Sequence, residues 1–377
     1  MKKKRHSPLD SLSALDFRFL DRALALAERG RYSVSPNPMV GALVVRGGCI
    51  VGEGYHRRAG EPHAEILALR RAGTRARGAD LYLTLEPCAH EGRTPACAPA
   101  VVASGVRRVI VAVRDANPRV AGRGLALLRK QGIEVVSAPS AWREKATAQN
   151  EKFRTWMTEG RPFVLAKWAM TLDGRTASAA GESRWITGPA ARQRGLLLRE
   201  EYDAVLVGAG TVLADDPRLT RRLARRPANR HWRIVLDGRL RLSEDARVFR
   251  GPGQKLLVTS VSPSHPKARR LEARGVRVWS LPARSPGRVD LSRFLAELAR
   301  HEVSSLMVEG GAETLWGFFR AKLVDRVAVF IAPRVLGGSR GPGGIGGPGF
   351  ALRDTPRLTN LEAEKVGGDV LLTGHVT

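Results

Sequence analysis

The chain has 377 residues, 43% of them hydrophobic, with 40 glycines and 22 prolines, which excludes fibrous and disordered classes and favours two hydrophobic cores over one. Three cysteines are too few for a disulfide framework, and no apolar run reaches the roughly 18 residues that span a bilayer. A net charge of +27 would suggest nucleic acid, but the excess is even (27 basic against 15 acidic residues over 1–160, 36 against 21 over 161–377) and is carried by 52 arginines to 11 lysines, a compositional bias rather than a binding footprint.

The start, MKKKRHSPLDSLSALDF, holds the one dense basic run, but Asp10 and Asp16 interrupt the segment after it, so no signal peptide is expected. The cysteine usage fits a reducing cytoplasm. No nucleic-acid or membrane partner is expected, and the basic balance favours small anionic substrates.

Residues 14–30 read as an amphipathic helix, with Leu15, Phe19, Ala23, Leu26 and Ala27 at helical spacing and Gly30 as the stop. SPNPMVGALVV is a loop entering a strand, RGGC at 46–49 a turn, and IVGEGYH the returning strand of a hairpin. A helix from about Pro62 to Ala72 comes next, then the strand ADLYLTLEPC running into a loop. ACAPAVVASG is a short helix, VRRVIVAV a buried strand, GRGLALLRKQG a helix and IEVVSAP a strand. This alternation predicts a layered α/β unit with a largely parallel sheet. A helical stretch over 141–159 ends at EGRPF, where Gly160 and Pro162 punctuate, and the domain boundary is placed there: 1–160 and 161–377.

The second half alternates again. FVLAKWAM is a strand, GPAARQRGLLLRE a helix, and DAVLVGAG, HWRIVLD and QKLLVTS are strands. DLSRFLAELAR is a helix, SSLMVEGG a strand, 312–321 a helix and DRVAVFIAP a strand. The segment GGSRGPGGIGGPG at 337–349 is low in complexity and is expected to be mobile; a terminal hairpin closes the chain at about 358–376.

Two stretches carry chemistry: PHAEILALR at 62–70 and TLEPCAHEGRTPAC at 84–97. His63, Cys88 and Cys97 offer one imidazole and two thiolates, a ligand set for tetrahedral Zn2+ that leaves the fourth position to water. The ligands fall at helix starts and a strand end, where α/β sheets gather their sites. Glu65, two residues from His63, is close enough to take a proton from that water without binding the metal. Such a set suits hydrolytic deamination, in which activated water adds to an amidine-like ring carbon and a carboxylate carries protons to the leaving amine. Any one of these residues alone would read as a helix cap or a small core filler. The cysteines are separated by eight residues, AHEGRTPA, rather than the two of the common deaminase pattern.

That spacer, with SPNPMVG, GEGYHRRAGEPHAE, TLEPCAHEGRTPAC and DANPRVAGRGLALLRKQGIEV, closely resembles the bifunctional riboflavin-biosynthesis deaminase–reductase family. Ser35 departs from that pattern, where histidine or another residue is expected, and this touches nothing catalytic. The resemblance implies a cytidine-deaminase-like three-layer α/β/α domain with Glu65 catalytic. It also implies that Asn37 and His56 hold the pyrimidine near the Gly92-Arg93-Thr94 loop, although Asn37 could simply shape the Pro-Asn-Pro turn.

No G-x-G-x-x-G follows the first strand of the second half, so a standard dinucleotide fold is not expected. VEGGAE ends a strand and opens a helix, where bare amides could hold a phosphate or the two glycines could make only a tight turn. Asp215 and Asp216 could cap a helix or form a solvated pair. KWAMTLDGRTA, GESRWITG, VGAGTVLADDPRLT and LMVEGGAETL resemble the reductase half of the same family, which is similar in fold to dihydrofolate reductase. By that resemblance Ala169, Trp185, Thr211, Asp215, Gly310 and Gly311 contact NADPH, and Ser183, Arg199, Leu219, Arg222 and Glu309 contact a phosphorylated aminopyrimidine. Arg199 and Arg222 would clamp its phosphate. Lys167 either polarises the sugar carbonyl or is an ordinary strand lysine.

The expected protein is therefore a zinc deaminase followed by an NADPH-dependent reductase, forming a homo-oligomer (dimer or tetramer). The competing reading is a tRNA-type nucleic-acid deaminase with a C-terminal docking domain. It predicts basic charge clustered around Glu65 and salt-sensitive affinity. A non-catalytic NADPH-binding regulator would need a broken zinc set, and this one is intact.

Overall fold

A computed structural model describes residues 12–92, 94–223, 231–339 and 341–377. The basic run at 2–5 and Arg93 lie outside the described residues. The chain divides into two compact units, Met1–Gly160 and Arg161–Thr377.

In the first unit the described strands are β1 (Gly41–Arg46), β2 (Cys49–Tyr55), β3 (Asp80–Leu85), β4 (Arg108–Val113) and β5 (Glu134–Ser137), in the order β2-β1-β3-β4-β5. The hairpin strand β1 is antiparallel to both β2 and β3, while β3, β4 and β5 are parallel. Alternate side chains of one strand enter different cores, because successive Cβ atoms point to opposite faces. Ala42 and Val44 pack with α2 (Ala64–Ala72), α3 (Cys97–Ala103) and α4 (Arg123–Lys130). Leu43 and Val45 pack with α1 (Ala14–Ala27) and α5 (Ser140–Gln149). The result is three layers, helices on both faces of one sheet.

Two glycines bring α2 against the sheet. A Cβ on Gly52 would stand 2.2 Å from the Ala68 carbonyl oxygen, and one on Gly54 would stand 2.4 Å from that of Ala64. Only bare backbone admits the helix this closely, and its N-terminus carries His63 and Glu65. On the other face, Arg108 ties α1 to the sheet through bonds of 2.8 Å to both Asp16 and Asp80.

The helix expected over 141–159 is two helices, α5 and α6 (Glu151–Glu159). Asn150 separates them, and the cause is tertiary. Its side chain accepts from the Met39 amide at 2.7 Å and donates to the Met39 carbonyl at 2.9 Å.

The second unit holds β6 (Phe163–Thr171), α7 (Pro189–Glu201), β7 (Ala204–Gly208), α8 (Ala209–Asp215), β8 (Trp232–Leu236), β9 (Gln254–Thr259) and α9 (Pro266–Ala273). After these come β10 (Arg277–Ser280), α10 (Leu291–Arg300), β11 (Ser305–Glu309), α11 (Ala312–Arg320), β12 (Arg326–Ala332), β13 (Leu358–Val366) and β14 (Asp369–Val376). The described strands form one sheet, β10-β9-β8-β7-β11-β6-β12-β14-β13, parallel except that β14 is antiparallel to both of its neighbours. Two apolar clusters cover its faces. The sequence reading missed α8, α9 and β10, which are short and lack clear periodicity. No described helix is long and apolar enough to cross a membrane.

The glycine-rich 337–349 segment was expected to be mobile, and at its described residues it is instead pinned. Asp173 accepts from the Gly337 amide at 2.7 Å, and Arg175 donates to the Gly341 carbonyl at 2.6 Å. Thr176 donates its amide to Pro342 at 2.9 Å, and Glu313 accepts from Gly347 at 3.0 Å. Close contact requires glycine at Gly344, Gly346 and Gly347: a Cβ on Gly347 (φ +72°) would lie 2.4 Å from the Trp316 ring. Gly347→Ala should therefore cost about 1–3 kcal/mol. Calorimetry should show the second unit's transition lowered by several degrees, with the first unit's unchanged.

Candidate active sites

His63 is the N-cap of α2, with extended backbone (φ −71°, ψ 166°), and Glu65 sits buried in the first turn. Cys88 follows β3, and Cys97 is the first residue of α3. The eight-residue spacer closes on itself: the Cys88 carbonyl accepts from the amides of Cys97 (3.1 Å) and Ala98 (3.0 Å). One ligand atom from each of His63, Cys88 and Cys97 falls within 4.8 Å of the others. The His63 Nδ1 stands 3.1 Å from Cys97 Sγ and 3.7 Å from Cys88 Sγ, while Nε2 stands 3.4 Å from Thr94 Oγ1.

The bond from Cys97, helped by His63, outweighs burial and holds the Cys88 thiol well below the usual thiol range. The Cys88 contact raises His63, and the same contact with burial pushes Cys97 up. Two cysteine sulfurs and one imidazole nitrogen converging on one point fit tetrahedral zinc with an open position. Bound there, zinc would supply Lewis acidity to a water. Burial raises the Glu65 carboxyl despite the His63 charge, which brings it toward the range of a proton carrier.

Asn37 and His56 meet beside this cluster. The Asn37 amide nitrogen lies 3.0 Å from His56 Nε2, and His56 Nδ1 lies 3.4 Å from the Pro62 carbonyl. Burial and the nearby His63 bring His56 down to about 4, so it is neutral. Its Nε2 then accepts from Asn37 and its Nδ1 donates to Pro62. The His56 ring stands edge-on to His63 at 5.0 Å.

Sequence reasoning missed Glu86 and Asp115. Glu86 is buried two residues before Cys88 and accepts from the amides of Asp115 (3.2 Å), Gly122 (2.9 Å), Gly124 (3.0 Å) and Leu125 (3.3 Å). It ties the cysteine loop to the start of α4. Burial raises Asp115 to about 6. A carboxylate at the end of an otherwise apolar strand, in TLEPC, was the available signal for Glu86.

In the second unit a cleft of about 180 Å³ is lined by Lys167, Trp168, Ala169, Glu309, Gly310, Gly311 and Gly344, among others. Lys167 and Glu309 are register partners on β6 and β11. Arg199 grips Glu309 with two bonds, Nε to Oε1 at 3.2 Å and Nη2 to Oε2 at 2.7 Å. Burial would raise Glu309, but the Arg199 and Lys167 charges hold it below the usual carboxylate range. Gly310 and Gly311 are left-handed (φ +64° and +75°) and turn the chain from β11 into α11. Thr211 adjoins them: a Cβ on Gly311 would lie 2.9 Å from its hydroxyl.

The structure joins the other residues expected here in two groups. Arg184, between Ser183 and Trp185, donates to the carbonyl (3.1 Å) and carboxylate (3.2 Å) of Asp215, the last residue of α8. Trp185 is exposed, with the Arg192 guanidinium 4.5 Å above its ring. Leu219 is buried and Arg222 exposed, in a loop whose Thr220 carbonyl accepts from Arg199 at 3.1 Å. Residues 224–226, also candidates in RRLARR, lie outside the described residues. Asp216, expected as a cap or a solvated acid, is the left-handed C-cap of α8 and accepts from the Arg247 amide at 2.8 Å.

The RibD C-terminal domain matches residues 162–372, and the cytidine and deoxycytidylate deaminase zinc-binding region matches residues 14–113. The riboflavin biosynthesis protein RibD of Aquifex aeolicus is 40% identical over 359 residues, 95% of this chain and 98% of that one. The chain belongs to the RibD family. The Escherichia coli RibD is 41% identical over 366 residues, 94% of this chain and 97% of its own. RibD of Acinetobacter baumannii superposes with a TM-score of 0.85 at 35% identity, over 96% of this chain and 99% of that one. A Thermotoga maritima diaminohydroxyphosphoribosylaminopyrimidine deaminase/5-amino-6-(5-phosphoribosylamino)uracil reductase gives 0.83 at 33%, with the same coverage.

As a member of the RibD family, this is a bifunctional deaminase and reductase of riboflavin biosynthesis acting on a phosphoribosylaminopyrimidine, with Zn2+ and NADPH as cofactors. The cytidine-deaminase-like fold belongs to the first unit and the reductase fold to the second. The nucleic-acid deaminase reading fails because the second half is a RibD reductase domain, not a docking module.

Proposed function

We propose that residues 1–160 deaminate 2,5-diamino-6-(5-phosphoribosylamino)pyrimidin-4-one and that residues 161–377 then reduce its ribosyl chain to ribityl. The clustering of His63, Cys88 and Cys97 beside a buried Glu65 carries the first half of this reading. His63, Cys88 and Cys97 hold the metal. Glu65 takes a proton from the attacking water and passes it to the leaving amine. Asn37 and the neutral His56 orient the ring by hydrogen bonding. In the reductase, Ala169, Trp185, Thr211, Asp215, Gly310 and Gly311 bind NADPH, the hydride source. Lys167, Ser183, Arg199, Leu219, Arg222 and Glu309 bind the phosphorylated substrate, Arg199 and Arg222 clamp its phosphate, and Lys167 polarises its sugar carbonyl.

The test is an ordered assay with the aminated substrate. Ammonia should appear without NADPH, and NADPH oxidation should depend on prior ammonia release. Oxidation without ammonia release would overturn the order. The protein is further proposed to be a cytoplasmic dimer or tetramer, and light scattering on the purified protein checks the assembly.

NADPH should be preferred over NADH. One charge-assisted contact between an arginine and the 2′-phosphate is worth about tenfold or more in kcat/KM. Equal kcat/KM for the two cofactors would show that no arginine reads that phosphate.

A further inference from the structure

The loop after α8 has its carbonyls claimed one after another. The Arg218 carbonyl accepts from Arg233 Nη1 at 3.2 Å, that of Leu219 from His231 Nε2 at 2.9 Å, and that of Thr220 from Arg199 Nη1 at 3.1 Å. His231 immediately precedes β8, Arg233 lies within it, and both are buried. Arg233 also donates to the carbonyls of Arg250 (2.7 Å) and Pro252 (2.9 Å), so its place is fixed from the other side. Arg199, on α7, also bonds Glu309 in the cleft wall and so links the loop to it. Leu219, at the middle carbonyl, holds a left-handed backbone (φ +51°) that a branched side chain seldom adopts.

Three donors on three successive carbonyls leave this backbone one register. A buried carbonyl deprived of its donor would turn elsewhere, since leaving it unpaired is unfavourable. Burial, with Arg221 close by, brings His231 down to about 3, so the ring is neutral and donates from one nitrogen. That nitrogen is Nε2, because Nδ1 has no partner among the described residues.

We propose that His231 is a positioning residue of the reductase site: its Nε2–H sets the Leu219 turn, and so the place of the substrate-facing 219–222 loop relative to the Arg199–Glu309 pair. This rests on the reading that the loop contacts the sugar phosphate. His231 touches no reacting atom and acts through Leu219.

Glutamine and asparagine separate the two ring nitrogens. The glutamine amide reaches the Nε2 position and can still donate to Leu219, whereas asparagine reaches only the Nδ1 position. Both are polar, and calorimetry of the full-length protein reports the integrity of the second unit, which carries His231. With the already deaminated phosphoribosylaminopyrimidine, His231→Asn should raise the substrate KM about tenfold, with kcat and the NADPH KM within about twofold. His231→Gln should stay within about threefold of the parent on all three. A merely structural role would lower the active fraction in both variants without moving substrate KM alone.

Equal substrate KM in the two variants, or a matching rise in NADPH KM, would overturn the proposal. Arg222→Ala separates the failures. If it raises substrate KM while His231→Asn does not, the loop is at the substrate and the positioning inference alone is wrong. If neither changes KM, the placement of the loop at the substrate is wrong as well.

Discussion

Glu65→Gln is expected to lower deamination by about 10²–10⁴-fold, the usual contribution of a general acid–base group. The substitution keeps the volume of the buried side chain but removes its ability to take a proton. Zinc should remain bound, because the ligand set is His63, Cys88 and Cys97 and does not include Glu65. Given already deaminated substrate, the variant should oxidise NADPH at close to the parent rate, since Lys167, Arg199 and Glu309 all lie in the other unit. Given the aminated precursor it should stall. Loss of both activities in a folded, zinc-loaded protein would mean one shared site, and the two-site reading would have to be abandoned.

Cys97→Ala is expected to remove stoichiometric zinc and deamination together. Cys97 is buried and lies 3.1 Å from the His63 nitrogen, and two ligands cannot replace the closed set of three. Cys49→Ala should leave both unchanged, because Cys49 is exposed at the start of β2 and outside the cluster. Metal analysis and ammonia release on the two variants decide it. Full zinc in the Cys97 variant would mean that some other group completes the site. Reductase activity should survive in both.

The parts legible in the sequence were those that local chemistry dictates. The hydrophobic runs of β1, β3, β4 and β11 announced buried strands, because strands covered on both faces carry little polar alternation. His63, Glu65, Cys88 and Cys97 stood out because that chemistry demands those residue types at helix starts and strand ends. Gly160 and Pro162 marked a break because neither favours continuation of a helix.

Other features depend on partners far away in the chain, and only the tertiary structure decided them. Asn150 breaks a helix because Met39, 111 residues earlier, supplies both hydrogen bonds. The glycine-rich segment resembles a flexible linker by composition, yet Asp173, Arg175 and Glu313 hold it, and Gly347 is glycine because Trp316 fills the space a Cβ would need. Arg199 reads as a phosphate clamp in sequence; only the fold shows that two of its nitrogens are also bonded to Glu309, 110 residues away. His231, Arg233 and Glu86 gave little signal, since each serves through carbonyls or amides brought together by the fold. Residue type and spacing specify which groups can react, but the long-range contacts specify which groups are already engaged, and those form only when distant segments pack.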